Sequence, residues 1–244
     1  MSRHVMIVGV LWVFFTALAL AGAAAMNPFP TVGAEEAEFS DHAFRIMTFM
    51  GAPVFGFVIA ALVYNIARFR SSGQPSEDGP PFKGGGMIPR AWLGVTTALA
   101  VVVMIYPGLT GLAEMRSDRS YDLEVNVTGY RWSWSAQYPD GEFTSNEIVL
   151  PKDQRVRFNV TAPAGDVLHS FWVPAFRLKI DALPGRTTFF SVEPTITGSF
   201  DDDDAFRVQC AELCGVDHSL MMFPIRVVEP SEFESWLANL QEGN

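Results

Sequence analysis

Three uncharged apolar stretches in the first half of the chain, Met6–Met26, Ile46–Ala67 and Ala91–Ala113, constrain its fold more than any other feature. Each is long enough for a helix to cross the hydrocarbon core, which takes roughly 20 residues. A soluble domain seldom buries helices so long and so free of charge, so a membrane anchor is expected. Arg3 and the small-residue end Ala23-Ala24-Ala25 leave residues 1–26 readable as a signal peptide or as a first transmembrane helix. Residues 27–113 then form the anchor, with helices near 44–67 and 91–113.

The connection between those two helices, residues 68–90, carries Arg68, Arg70, Lys83 and Arg90 and is placed on the cytoplasmic side. Its Ser71–Gly86 part, rich in Gly, Pro and Ser, reads as a flexible connector. Residues 114–244 are thereby delivered to the extracytoplasmic side, which makes the chain a multi-pass protein of the cell membrane, most simply a prokaryotic plasma membrane.

Beyond residue 113 the period changes from helical to alternating. Tyr121, Leu123, Val125 and Val127 alternate with Asp122, Glu124, Asn126 and Thr128, the pattern of a half-buried strand. Arg155–Val160 and Phe206–Cys210 alternate similarly, while Thr187–Val192 and Ile225–Val228 are rich in strand formers. Pro139-Asp140-Gly141 and Pro184-Gly185 mark turns between them. Short strands at this spacing predict a β-sandwich or barrel. A terminal helix is expected from Ser231 and Glu234 as a capping box, with Phe233, Trp236, Leu237 and Leu240 on one face. No internal repeat is present.

Charge is unevenly spread. The net charge of −10 lies entirely from Glu114 onward, where 21 acidic side chains face 11 basic ones. Such a surface repels nucleic acid and attracts a basic protein partner, although solubility alone would also account for it. Four consecutive aspartates, Asp201–Asp204, read as a solvated loop insertion.

The chemistry is concentrated in Cys210-Ala211-Glu212-Leu213-Cys214-Gly215-Val216-Asp217-His218-Ser219-Leu220-Met221. The two cysteines are the only ones in the chain. A disulfide between them would close a very short loop and constrain little of the unfolded chain. Thiolates, imidazole and thioether together select copper. His218 and Met221 lie in the same segment, and His169 is the one other histidine in the outer domain. Two Cys, two His and one Met exceed what a mononuclear blue site uses, but would serve two coppers sharing both thiolates. Zinc accepts Cys₂His₂ as well, though it does not seek Met221.

These residues, together with Asp166-Val167-Leu168-His169-Ser170 and Lys179-Ile180-Asp181-Ala182-Leu183-Pro184-Gly185-Arg186, resemble subunit II of haem-copper cytochrome c oxidases. The resemblance runs from the membrane helices to the terminal helix. It implies a cupredoxin-like Greek-key β-barrel behind N-terminal transmembrane helices, and a binuclear copper centre, CuA. Cys210 and Cys214 would be bridging thiolates, and His169 and His218 would bind one copper each. Met221 and the carbonyl of Glu212 would be weak axial ligands. The Glu212 side chain would help hold magnesium at the boundary with subunit I. Trp132, in Gly129-Tyr130-Arg131-Trp132-Ser133-Trp134, would be where electrons arrive from cytochrome c or another small redox donor, and Asp166 would help dock that donor. Trp134 reads as barrel core.

Two features depart from the family pattern. Ser133 stands where many relatives have an aromatic residue, and Met87-Ile88-Pro89-Arg90-Ala91-Trp92 lacks the carboxylate that many carry there for proton uptake. The function so implied is the electron-transfer subunit of a terminal oxidase, passing electrons to the haem of subunit I for reduction of oxygen to water coupled to proton translocation. It would work among other oxidase subunits in membrane lipid. The alternatives are the CuA subunit of a nitric oxide reductase and a stand-alone membrane-tethered cupredoxin. No Cys-x-x-Cys-His motif for covalent haem is present.

Overall fold

The computed structural model describes residues 3–70, 73, 85–115, 120–139, 143–144 and 146–242. Most of the Ser71–Gly86 connector, Lys83 and the Asp140-Gly141 turn lie outside these residues. The described chain forms two compact units: Phe29–Asp41 with the residues from Met115 onward, and the remaining N-terminal residues through Glu114.

The first unit is helical. Helix α1 (Arg3–Ala25), helix α2 (Glu35–Arg68) and the segment Pro89–Glu114 are each long and apolar enough to cross a membrane. Apolar side chains point outward along all three, as expected for surfaces solvated by lipid. Where α1 and α2 meet, Gly56 makes the close approach feasible, because a Cβ there would lie 2.5 Å from Thr16 Oγ1. Trp12 Nε1 adds a hydrogen bond to the Pro53 carbonyl at 2.7 Å. The last span consists of α3 (Met87–Val103), a π-helical turn (Met104–Leu109) and α4 (Thr110–Met115). Pro107, which has no N–H to donate, sits in that turn and accounts for the interruption.

The second unit is two curled sheets. One contains β1 (Leu123–Tyr130), β2 (Ser133–Gln137), β3 (Phe143–Thr144), β5 (Val156–Thr161) and β8 (Thr188–Val192), in the order β3-β2-β1-β5-β8. The other contains β4 (Ile148–Pro151), β6 (His169–Val173), β7 (Leu178–Ala182), β10 (Arg207–Cys210) and β11 (Met222–Val228), in the order β4-β11-β10-β6-β7. A short β9 (Gly198–Ser199) pairs with β11. Two pairings are parallel, β1 with β5 and β4 with β11. A bridge between Ala162 and Pro184 links the ends of the two sheets.

Alternating residues of β1 and β5 enter the core as their sequence predicts, while β4 is buried along its whole length. Trp134, Tyr138, Phe158, Phe171, Phe176 and Phe206 fill the space between the sheets. The Tyr138 hydroxyl is fully used: it donates to the Val149 carbonyl at 2.8 Å and accepts the Val149 N–H at 2.9 Å. Tyr138→Phe removes both partners from buried backbone groups. It should cost about 1–3 kcal/mol, read as a lower unfolding midpoint of the full chain in detergent. Helix α5 (Pro230–Glu242) closes the chain, with Phe233, Trp236, Leu237 and Leu240 on the core. It begins at Pro230 rather than at a Ser231 cap, since proline's fixed φ suits the first helical position.

The segment Phe29–Asp41 is built into this unit. Gly33 N–H donates to the Ala175 carbonyl at 2.9 Å and Glu35 N–H to Glu193 at 3.0 Å. Arg177 binds Asp41 in a fork, at 2.7 and 3.0 Å, and also donates to the carbonyls of Pro30, Thr31 and Pro174. The aspartate run takes part as well. Asp203 accepts from the Thr31 hydroxyl and the Ala205 N–H, which hold its carboxyl below the ordinary range. Asp201 and Asp204 remain exposed.

Candidate metal centre

The site lies at one end of the second sheet. Strand β10 ends at Cys210, and β6, its antiparallel neighbour, begins at His169. The chain then loops through Glu212 and Cys214, makes a 3-10 turn over His218–Leu220 and re-enters the sheet after Met221. The loop is pinned at its base, where Cys210 N–H donates to the Met221 carbonyl and Ala211 N–H to Ser170, both at 3.0 Å. Gly215 adopts φ +126, and a Cβ there would press on the Trp132 ring at 3.2 Å. Only glycine suits both conditions.

The soft donors converge. Cys210 and Cys214 are free thiols with their sulfurs 3.8 Å apart, so the disulfide alternative is not formed. His169 Nδ1 stands 3.9 Å from Cys210 Sγ, and His218 Nδ1 stands 3.5 Å from Cys214 Sγ. Met221 Sδ is 3.7 Å from Cys214 Sγ, and the Glu212 carbonyl is 3.3 Å from Cys210 Sγ. Ligating atoms of His169, Cys210 and Cys214 all lie within 4.8 Å of one another. Cys210, Cys214, His169 and Met221 are buried, whereas the next residue, Met222, is 45% exposed on the opposite face. The Glu212 side chain is exposed and belongs to no cluster of three ligating side chains among the described residues.

The electrostatics suit a cation. Burial, then repulsion from Cys210, pushes the Cys214 thiol up to about 11. Near neutrality the Cys214 thiol therefore stays protonated unless a metal replaces its proton. Burial also lowers the His169 imidazole from its ordinary value, keeping it neutral and able to bind metal.

The remaining predicted residues sit at the rim. Trp132 is 37% exposed, and its Nε1 donates to the Cys214 carbonyl at 3.3 Å. Trp134 is buried in the core and meets His169 edge-on at 6.0 Å between ring centroids. Asp166 accepts the N–H groups of Val167 and Arg131 and pairs with Arg131 Nε at 2.8 Å. Its burial alone would raise the carboxyl, but those donors and the guanidinium hold it below its ordinary value. Arg131 was not singled out from the sequence. It lies 35 residues from Asp166, and no local pattern joins the two.

Helices long and apolar enough to cross a membrane, and a β-unit with a buried Cys₂His cluster compatible with copper, fit a membrane-anchored protein with a soft-ligand metal site. Comparison with known proteins makes the class specific. Residues 142–229 match the family described as cytochrome c oxidase subunit II, periplasmic domain. A probable cytochrome c oxidase subunit 2 from Rickettsia bellii (strain RML369-C) is 31% identical, over 75% of this chain and 72% of its own length. Its counterpart in Rickettsia prowazekii (strain Madrid E) is 31% identical over 81% of this chain, which spans 66% of that relative. Among solved structures, the periplasmic domain of subunit II of cytochrome oxidase (CoxB) of Bradyrhizobium japonicum is 37% identical. It covers 51% of this chain and 97% of its own, with a TM-score of 0.46. The chain belongs to the cytochrome c oxidase subunit 2 family, and its β-unit is the cupredoxin-like domain of that family.

Proposed function

We propose that the chain is the electron-accepting subunit of a terminal haem-copper oxidase. It takes electrons from cytochrome c, or another small redox donor, at a binuclear CuA centre and passes them to the haem of subunit I, where oxygen is reduced to water with proton translocation. Residues 1–26 are a signal peptide or first span, residues 27–113 the anchor in lipid, and residues 114–244 the outer domain on the extracytoplasmic face of the cell membrane. Phe29–Asp41 adds to that domain.

One observation carries the binuclear reading. The two sulfurs lie 3.8 Å apart, and each has its own imidazole and its own weak donor. Cys210 has His169 and the Glu212 carbonyl, while Cys214 has His218 and Met221. A mononuclear blue site, with one Cys, two His and an axial Met, would leave the second thiol and the Glu212 carbonyl idle. When bound, the two coppers supply reversible one-electron storage shared over both metals and both sulfurs. The protein contributes a ligand set held by sheet hydrogen bonds, which resists rearrangement, and buries it away from water. Trp132 presents an exposed ring hydrogen-bonded to the ligand loop, the contact through which an incoming electron reaches the site. Leu213, Val216 and Leu220 give the loop an exposed apolar rim suited to protein contact. The exposed Glu212 carboxylate would reach magnesium only with further ligands from subunit I.

Copper loading of the full chain in detergent tests the reading. Two coppers per chain, with electron paramagnetic resonance lines split equally by two copper nuclei, are the expected result. One copper with splitting by a single nucleus, or zinc in its place, would overturn it.

A further inference from the structure

Trp134 is buried, and its Nε1 has no hydrogen-bond partner. A buried donor left unsatisfied is a cost that phenylalanine would avoid, so filling space does not by itself account for an indole here. The indole reaches from one sheet to the other. It stands on β2 of the first sheet and meets two inward-facing residues of β6 on the second. The ring centroids lie 6.0 Å from His169, at 64° between planes, and 5.6 Å from Phe171, at 88°. His169 is itself fully buried, with Nδ1 facing Cys210 Sγ at 3.9 Å. The indole in turn rests on bare backbone. Gly129 of β1 is the register partner of Trp134, and a Cβ there would lie 2.8 Å from Cζ3 of the ring. The position lies within a regular strand, so the missing Cβ serves as room for the indole and not as a turn.

We infer that Trp134, seated on Gly129, is a positioning residue for His169, and that its ring fixes the tilt of the buried imidazole toward the metal. The inference rests on the binuclear copper reading proposed above. The pairing of β6 with β10 sets where the His169 backbone stands. It leaves the imidazole to turn about its own side-chain bonds, and an edge-to-face ring contact removes that freedom. The effect is one-sided. The ring contacts of Trp134 are with His169 and Phe171, so it bears on the copper held by His169 and not on the one held by His218.

Three variants of the full chain, loaded with copper in detergent, separate positioning from space-filling. Trp134→Leu removes the ring. Gly129→Ala leaves Trp134 and His169 in the chain but sets a methyl group where the indole lies, so the ring must shift. Tyr138→Phe loosens the core elsewhere, beside Phe233 and Trp236 of α5, and serves as the control. Positioning requires Trp134→Leu and Gly129→Ala to make the paramagnetic resonance splitting by the two copper nuclei unequal. It also requires both to lose about 10-fold in copper affinity, measured by competition with a chelator, the lower end of what disturbing a ligand's outer shell costs. Tyr138→Phe should keep equal splitting and wild-type affinity although its metal-free form unfolds at a lower temperature. Equal splitting in Gly129→Ala, or unequal splitting in Tyr138→Phe, would overturn the inference and leave the copper reading intact. If the leucine variant does not fold, Gly129→Ala still decides. A wild-type chain that takes up one copper or none overturns both readings together.

Discussion

Cys214→Ser should leave the full chain with at most one copper and slow its reduction by cytochrome c by more than about a hundredfold, beyond what disturbing a ligand's outer partner costs. The reason is the position of this sulfur. It is 3.8 Å from Cys210, 3.5 Å from His218 and 3.7 Å from Met221, so three other donors converge on it. A hydroxyl in its place is a poor ligand for a soft metal. Cys210, His169 and the Glu212 carbonyl keep their mutual contacts and can still hold a single metal. The expected product is thus a one-copper site whose resonance is split by one nucleus, not an empty pocket. Copper-to-chain ratio and paramagnetic resonance check this directly. Two coppers retained in the serine variant would show that Cys214 is not a shared ligand.

That centre was largely legible because four of its donor residues and the Glu212 carbonyl fall within one short segment, Cys210–Met221. A loop that must bring soft ligands together in space often keeps them together in sequence. His169 is the exception, 41 residues from Cys210 and brought to it by the β6–β10 pairing. Only the scarcity of histidines and the family resemblance pointed to it. The strands divided in the same way. β1 and β5, half-buried, announce themselves by alternation. β4 and β6 are buried on nearly every residue, and an apolar run without period looks like any other core segment. The partnership of Arg131 with Asp166 was invisible for a related reason: an ion pair between two loops leaves no periodic trace.

The least legible feature is the attachment of Phe29–Asp41 to the β-unit. In sequence this is a short stretch between apolar runs, with four acids, Glu35, Glu36, Glu38 and Asp41. Three of them occupy the first turn of α2, where the helix dipole favours negative charge, which is reason enough for their presence. Their partners lie far away. Arg155 is 119 residues from Glu36, and Arg177 is 136 from Asp41.

The second large effect is expected there. Arg155 is 6% exposed and Glu36 is 4% exposed, and their Nη2 and Oε1 atoms meet at 2.6 Å. Glu36 Oε2 also accepts the Glu193 N–H at 3.1 Å, while Glu35 and Glu193 flank the guanidinium at 3.5 and 3.6 Å. Forming such a pair gains little net free energy, because both ions lose their water. Breaking it is another matter. Arg155→Met leaves the Glu36 carboxylate buried without its counter-ion and should cost about 3–5 kcal/mol. Adding Glu36→Leu to Arg155→Met removes the orphaned charge and should recover most of that loss. Thermal unfolding of the full chain in detergent, followed by tryptophan fluorescence, measures both. A single variant as stable as wild type would mean that Glu36 reaches water in the folded protein. A double variant no better than the single would place the cost in lost packing around the Arg155 stem, not in charge burial.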